Sequence, residues 1–184
     1  MKRLFVAVPL PEELKQKISF LQQQLRETGA KFNFVSLTNL HFTLKFLGDV
    51  EENKIPKIIT FIQEIAAAEQ PLEVMIQGLG AFPSLEKMNV VWVRLKNPHL
   101  VLFMKKINSS LDSIRPEEKE EVPHLTLARM NSGYNKEIVQ DVLRKMVDFS
   151  VGTFRMDKIV LYESVLTPSG PIYTALKEFN LGNI

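Results

Sequence analysis

His41-Phe42-Thr43-Leu44-Lys45-Phe46-Leu47-Gly48 and Pro123-His124-Leu125-Thr126-Leu127-Ala128-Arg129 decide how this chain is read. Two of its three histidines head the same tetrapeptide, His-x-Thr-Leu, and each tetrapeptide lies in a strand-like run. Side chains alternate faces along a strand. His41 therefore shares a face with Thr43, and His124 with Thr126, while Phe42, Leu44, Leu125 and Leu127 turn to the other side. If the two strands lie side by side, or face each other across a pseudo-twofold axis, two imidazoles and two hydroxyls converge on a volume the size of a phosphate.

Outward from the first motif, Leu4 to Val8 reads as a strand. Glu12 to Glu27 reads as a helix, with Leu14, Ile18, Leu21 and Leu25 at helical intervals and Gly29 as its stop. Phe32 to Val35 is a short apolar stretch, Ser36 to Asn39 a turn, and Leu40 to Leu47 the first motif strand, closed by Gly48. Ile55, Ile58, Ile59, Ile62 and Ile65 form one stripe of a helix over Glu51 to Ala68, with Pro56 in its first turn. Leu72 to Phe82 and Met88 to Leu95 read as strands joined by a Pro83 to Lys87 turn, and Asn97 to Ile114 as a helix. The second motif strand runs from Val122 to Met130. After a helix from Lys136 to Val147, Phe154 to Leu166 and Ile172 to Phe179 read as strands around a Thr167 to Pro171 turn. The order strand, helix, strand, helix, strands recurs, which points to a duplicated α+β protein, residues 1–184 forming a single domain of two pseudo-symmetric lobes that face one cleft.

Composition narrows the chemistry. With 184 residues, 45% of them hydrophobic, the chain can bury a core without staples. Cysteine is absent, which excludes disulfides, thiolate metal sites and cysteine nucleophiles and favours a cytoplasmic setting. Leu4 to Val8 is too short for a secretory core, and charged or amide residues interrupt every apolar run before it could cross a bilayer, so no membrane association is expected. A formal charge of +2 permits nucleic-acid binding without announcing it.

Two histidines suffice to open a cyclic phosphodiester. One takes a proton from water and the other gives one to the leaving ribose oxygen, and an imidazole with a pKa of about 6.5 performs either task near neutrality. The threonine hydroxyls can donate to the non-bridging phosphoryl oxygens. Zinc is the sharper competing reading of the histidines. It lacks a third ligand, because no cysteine or carboxylate sits beside either motif, so no metal or cofactor is expected. His99 follows Pro98 at a helix start without a companion threonine and is read as a surface or capping residue.

With the motif residues in view, the chain resembles the two-histidine (2H) phosphoesterase superfamily, and within it the RNA 2',3'-cyclic phosphodiesterases once called 2'-5' RNA ligases. The resemblance spans Phe5-Val6-Ala7-Val8, both motifs, Phe82-Pro83 before Val91-Trp92-Val93, and Leu166-Thr167-Pro168-Ser169-Gly170-Pro171 with Tyr173. It implies two lobes with antiparallel sheets lining a central cleft and helices outside. It also implies hydrolysis of an RNA terminal 2',3'-cyclic phosphate, or of small cyclic nucleotides, to a 2'-phosphomonoester. By the same resemblance His41 is the acid, His124 the base, Thr43 and Thr126 hold the phosphate, and Phe46 and Arg129 sandwich the nucleobase. The last pair sits at an odd offset from the histidines, so a bulge, strand end or strong twist is expected to turn it into the cleft; otherwise Phe46 is plain core. Tyr173, after its turn, is expected either to border the cleft or to pack there, with packing preferred, and Lys2, Arg3, Lys31 and Lys45 are expected to be surface cations able to attract an RNA backbone. A non-catalytic module for binding RNA ends is the alternative outside enzyme chemistry. Ligation forming 2'-5' linkages, the reverse reaction, would use the same residues. The protein is expected to be a monomer.

Overall fold

In a computed structural model the chain is described over residues 1–116 and 122–182. Strand β1 (Lys2–Pro9) leads into helix α1 (Glu12–Glu27), then β2 (Phe32–Phe34), a 3₁₀ turn (Leu37–Asn39) and β3 (His41–Val50). Helix α2 (Ile55–Ala68) follows, then β4 (Leu72–Phe82), β5 (Val90–Lys96), α3 (Leu100–Ser110) and β6 (His124–Met130). The chain closes with α4 (Lys136–Lys145), β7 (Ser150–Met156), β8 (Lys158–Thr167) and β9 (Gly170–Asn180). Pro56 sits in the first turn of α2, where its missing N–H costs nothing. Gly29 ends the α1 segment with a positive φ of 68°.

Every strand pairing among the described residues is antiparallel, and the order is β7-β4-β5-β6-β3-β1-β8-β9, with β2 beside β6. This is an α+β fold of two arms. One arm is β3, β1, β8 and β9; the other is β6, β5, β4 and β7. A single residue pair, Phe42 with Leu125, joins β3 to β6 and so joins the arms. Each helix buries one apolar stripe against an arm: α2 and α3 lie on the β3 side, α1 and α4 on the β6 side. The α1 stripe of Leu14, Ile18, Leu21 and Leu25 is buried with Gln22, whose Nε2 donates to the carbonyls of Val35 (2.7 Å) and Leu127 (3.1 Å) and thereby fixes the back of the second motif strand.

One sequence expectation is corrected. Phe154 to Leu166 is two strands, not one. Asp157 separates β7, which pairs with β4 in one arm, from β8, which pairs with β1 in the other. Only the adjacent charges of Asp157 and Lys158 interrupt the alternation at the crossing, without glycine or proline, so the pattern carried little sign that the chain changes arms there. No helix among the described residues is long and apolar enough to cross a membrane.

Candidate active site

Phe42 and Leu125 are each 1% exposed, and an antiparallel pair has a local twofold axis through it. That axis exchanges His41 with His124 and Thr43 with Thr126. Because side chains alternate, the buried pair sends all four polar groups to the opposite face, where they line one cleft of about 730 Å³ together with Phe46 and Arg129. The six site residues expected from the sequence thus border a common space.

The odd offset of Phe46 and Arg129 has a structural cause. Ala7 pairs with Thr43 and Val6 with Lys45, so Leu44 faces no residue of β1. Trp92 likewise pairs with Thr126 and Val91 with Ala128, leaving Leu127 without an opposite number on β5. Each is a β-bulge one residue past the threonine, and each resets the alternation. Leu44 and Lys45 are both buried and Phe46 is 58% exposed; Leu127 and Ala128 are both buried and Arg129 is exposed. Phe46 is not core. Arg129 is flanked across the sheet by Asn33 of β2 and Val90 of β5, which also line the cleft.

The histidines are held alike. His41 Nδ1–H donates to the Asn39 carbonyl at 2.7 Å, and His124 Nδ1–H donates to the Val122 carbonyl at 2.8 Å. A carbonyl can only accept, so in each neutral ring the proton sits on Nδ1 and the lone pair on Nε2, the atom that can take up or release a proton. Their surroundings differ. The His41 ring lies 4.9 Å from the Phe5 ring and edge-on to Tyr173 at 5.3 Å; His124 lies edge-on to Phe82 at 4.8 Å. Burial pushes the His41 pKa below its ordinary value, the Asn39 carbonyl opposes this, and the neighbouring His124 adds to the lowering.

The structure decides between the two readings of Tyr173 and corrects the surface position expected of Lys45. Tyr173 lines the cleft as well as packing on Phe5 and His41; burial raises its phenol pKa, partly offset by Arg129 and Arg3, so the hydroxyl stays neutral. Lys45 is no surface cation: it is 5% exposed, behind the sheet, with Nζ donating to the Asn108 carbonyl at 3.2 Å. The bulge at Leu44 turns it there. Lys2 is ion-paired with Glu163 at 2.8 Å. His99 stands at the N-terminal cap position of α3 without a side-chain capping bond. Among the described residues no cluster of three or more His, Cys, Asp or Glu side chains could hold a metal ion. Asn39 and Phe82 escaped the sequence reading as site residues, the first because it looked like ordinary turn punctuation.

The LigT like Phosphoesterase family model matches residues 8–92 and again residues 93–173. The chain is 38% identical to the RNA 2',3'-cyclic phosphodiesterase of Methanocaldococcus jannaschii, over 96% of this chain and 99% of that protein. It is 36% identical to the enzyme of the same name from Methanothermobacter thermautotrophicus, over 97% and 98%. Among solved structures, TT0787 of Thermus thermophilus superposes with a TM-score of 0.83 at 26% identity, covering 98% of each chain. With a duplicated motif, a shared cleft and these relatives in agreement over nearly its whole length, the chain belongs to the LigT-like phosphoesterase family of the 2H superfamily.

Proposed function

We propose that this protein hydrolyses the terminal 2',3'-cyclic phosphate of RNA to a 2'-phosphomonoester by metal-independent acid–base catalysis. One observation carries the reading: two imidazoles, each with Nδ1 tied to a main-chain carbonyl, line one cleft on either side of a local twofold axis. The activity is the one for which the relatives are named.

In the proposed reaction a water oxygen attacks phosphorus while one imidazole Nε2 accepts the water proton. The bond from phosphorus to O3' breaks, and the second, protonated imidazole delivers its proton to that oxygen. One proton is taken and one given, so the pair returns to its starting state after an exchange with solvent. We assign His124 as base and His41 as acid. His41 is neutral in the free protein because burial disfavours its charged form, and the arriving phosphodiester anion offsets that burial by favouring the imidazolium. Thr43 and Thr126 hold the phosphoryl oxygens, and each acid–base partner is worth about 10²–10⁴ in rate. Phe46 and Arg129 hold the base of the terminal nucleotide by stacking and cation–π contact, which tolerates any sequence. The same reading takes the protein as a cytoplasmic monomer, in keeping with a chain that has no cysteine.

His41→Ala and His124→Ala should each lower turnover of a nucleoside 2',3'-cyclic phosphate by about 10²–10⁴-fold while keeping the folded circular-dichroism spectrum. Wild-type protein dialysed against a chelator should keep its rate and leave the phosphate on O2'. Full activity in either variant, or loss of wild-type activity on chelation, rejects the mechanism.

A further inference from the structure

We propose that Asn39 is a positioning residue of this site, acting on His41 by pinning the tip of the β8–β9 hairpin to the turn that precedes the motif strand. The proposal rests on the hydrolase reading above.

Asn39 ends the 3₁₀ turn, and its main chain and side chain point to different tasks. Its N–H donates to the Ser36 carbonyl at 2.9 Å, and its own carbonyl accepts from His41 Nδ1 at 2.7 Å. Its side-chain Nδ2 donates to the Pro171 carbonyl at 2.9 Å, across 132 residues of sequence. Pro171 lies two residues before Tyr173, whose ring stands edge-on to His41 at an interplanar angle of 89°. His41 is therefore held by a carbonyl on Nδ1 and by a phenol ring set perpendicular to its own, and Asn39 joins the two supports.

Apart from the packing of the Tyr173 ring, the hairpin tip has little else to hold it. Leu166 and Ile172 are 67% and 57% exposed, and the Thr167 hydroxyl bonds only within the tip, to Ser169 and the Gly170 carbonyl. Among the described residues, the Asn39 amide makes the one hydrogen bond that ties residues 166–173 to anything outside the β8–β9 hairpin. The twofold axis shows what is particular about this residue. It relates Asn39 to Val122, whose carbonyl does the same for His124 but whose side chain has no amide. The two motifs share the main-chain support, and at His41 a side-chain amide adds a lateral tie that a valine at position 122 cannot make.

The experiment measures hydrolysis of a nucleoside 2',3'-cyclic phosphate by Asn39→Ala and Asn39→Asp across about pH 5 to 9, with melting temperatures. The titratable groups facing His41 are His124 on β6 and Tyr173 on β9; Phe5 on β1 is apolar, and Arg3 and Arg129 stand near Tyr173. Asn39→Ala should lower kcat about tenfold with KM within about twofold, because the base-holding residues are untouched. The limb of kcat/KM that reports His41 should move up toward about 6.5 as water reaches its ring. Asn39→Asp cannot donate to the Pro171 carbonyl, so it should lose as much rate, and its charge should move the limb further up. The rate losses of Asn39→Ala and Tyr173→Ala should be less than additive. Wild-type kcat and limb in both variants would overturn the proposal, as would a rate loss that merely follows a lost folded fraction while the limb stays put. Wild-type protein that fails to turn over the substrate would instead reject the hydrolase reading itself.

Discussion

Burial distinguishes His41 from an exposed imidazole, and this has a consequence for stability as well as catalysis. Its folded pKa lies below the value of about 6.5 in the unfolded chain, so as pH falls the unfolded chain takes up this proton first. The stability tied to the neutral ring is fully present above about 6.5 and is lost as pH falls through the folded value. Urea unfolding at steps from about pH 7.5 to 5 should show wild-type stability falling faster than that of His41→Asn, which has no ring to titrate. Parallel curves would mean that burial does not perturb this histidine. The sequence displayed His41, His124, Thr43 and Thr126 because the motif occurs twice and period-two alternation assigns the four to one face. It did not display Asn39, and it named Tyr173 without settling where the ring stands. Their roles come from contacts between residues more than a hundred positions apart, which no local pattern encodes.

At the level of elements, alternation located the strands but not the two bulges that make them useful. Without Leu44 and Leu127 facing empty positions, Phe46 and Arg129 would turn into the back of the sheet. The break at Asp157 was marked only by the adjacent charges of Asp157 and Lys158. Glycine is a clearer signal once its neighbour is known: Gly80 on β4 pairs with Trp92 on β5, and a Cβ at position 80 would clash with the Trp92 ring, 2.3 Å from its nearest atom. That ring packs on Phe82, which in turn meets His124 edge-on. Gly80→Ala should therefore cost about 1–3 kcal/mol or more through overpacking and disturb the wall behind His124. Trp92 is the sole tryptophan, so its emission reports the shift directly. A melting temperature, emission maximum and kcat all equal to wild type would show that β4 and β5 yield at this point without consequence.

At the scale of the molecule, duplication in sequence does not correspond to division in space. The first half of the chain contributes β1 and β3 to one arm and β4 to the other; the second half contributes β5, β6 and β7 to the arm of β4 and then returns β8 and β9 to the arm of β1. Neither arm is complete until both halves are present: among the described residues β4 pairs only with β5 and β7, and β1 stands between β3 and β8. The helices repeat the exchange, since α1 follows β1 but packs toward β6 and β7, while α3 follows β5 but packs on β3. A chain cut in the turn after β4, into residues 1–85 and 86–184, would leave β4 with no partner in the first piece and a gap between β5 and β7 in the second. The unsatisfied backbone and exposed apolar faces cannot be offset within either piece. Each fragment alone should lack dispersed amide resonances and cyclic phosphodiesterase activity, while the two expressed together should associate and recover both, because the cleft is assembled from one motif of each. A fragment that folds and remains folded alone would show that the lobes are independent units, and that the crossing strands are not what binds them.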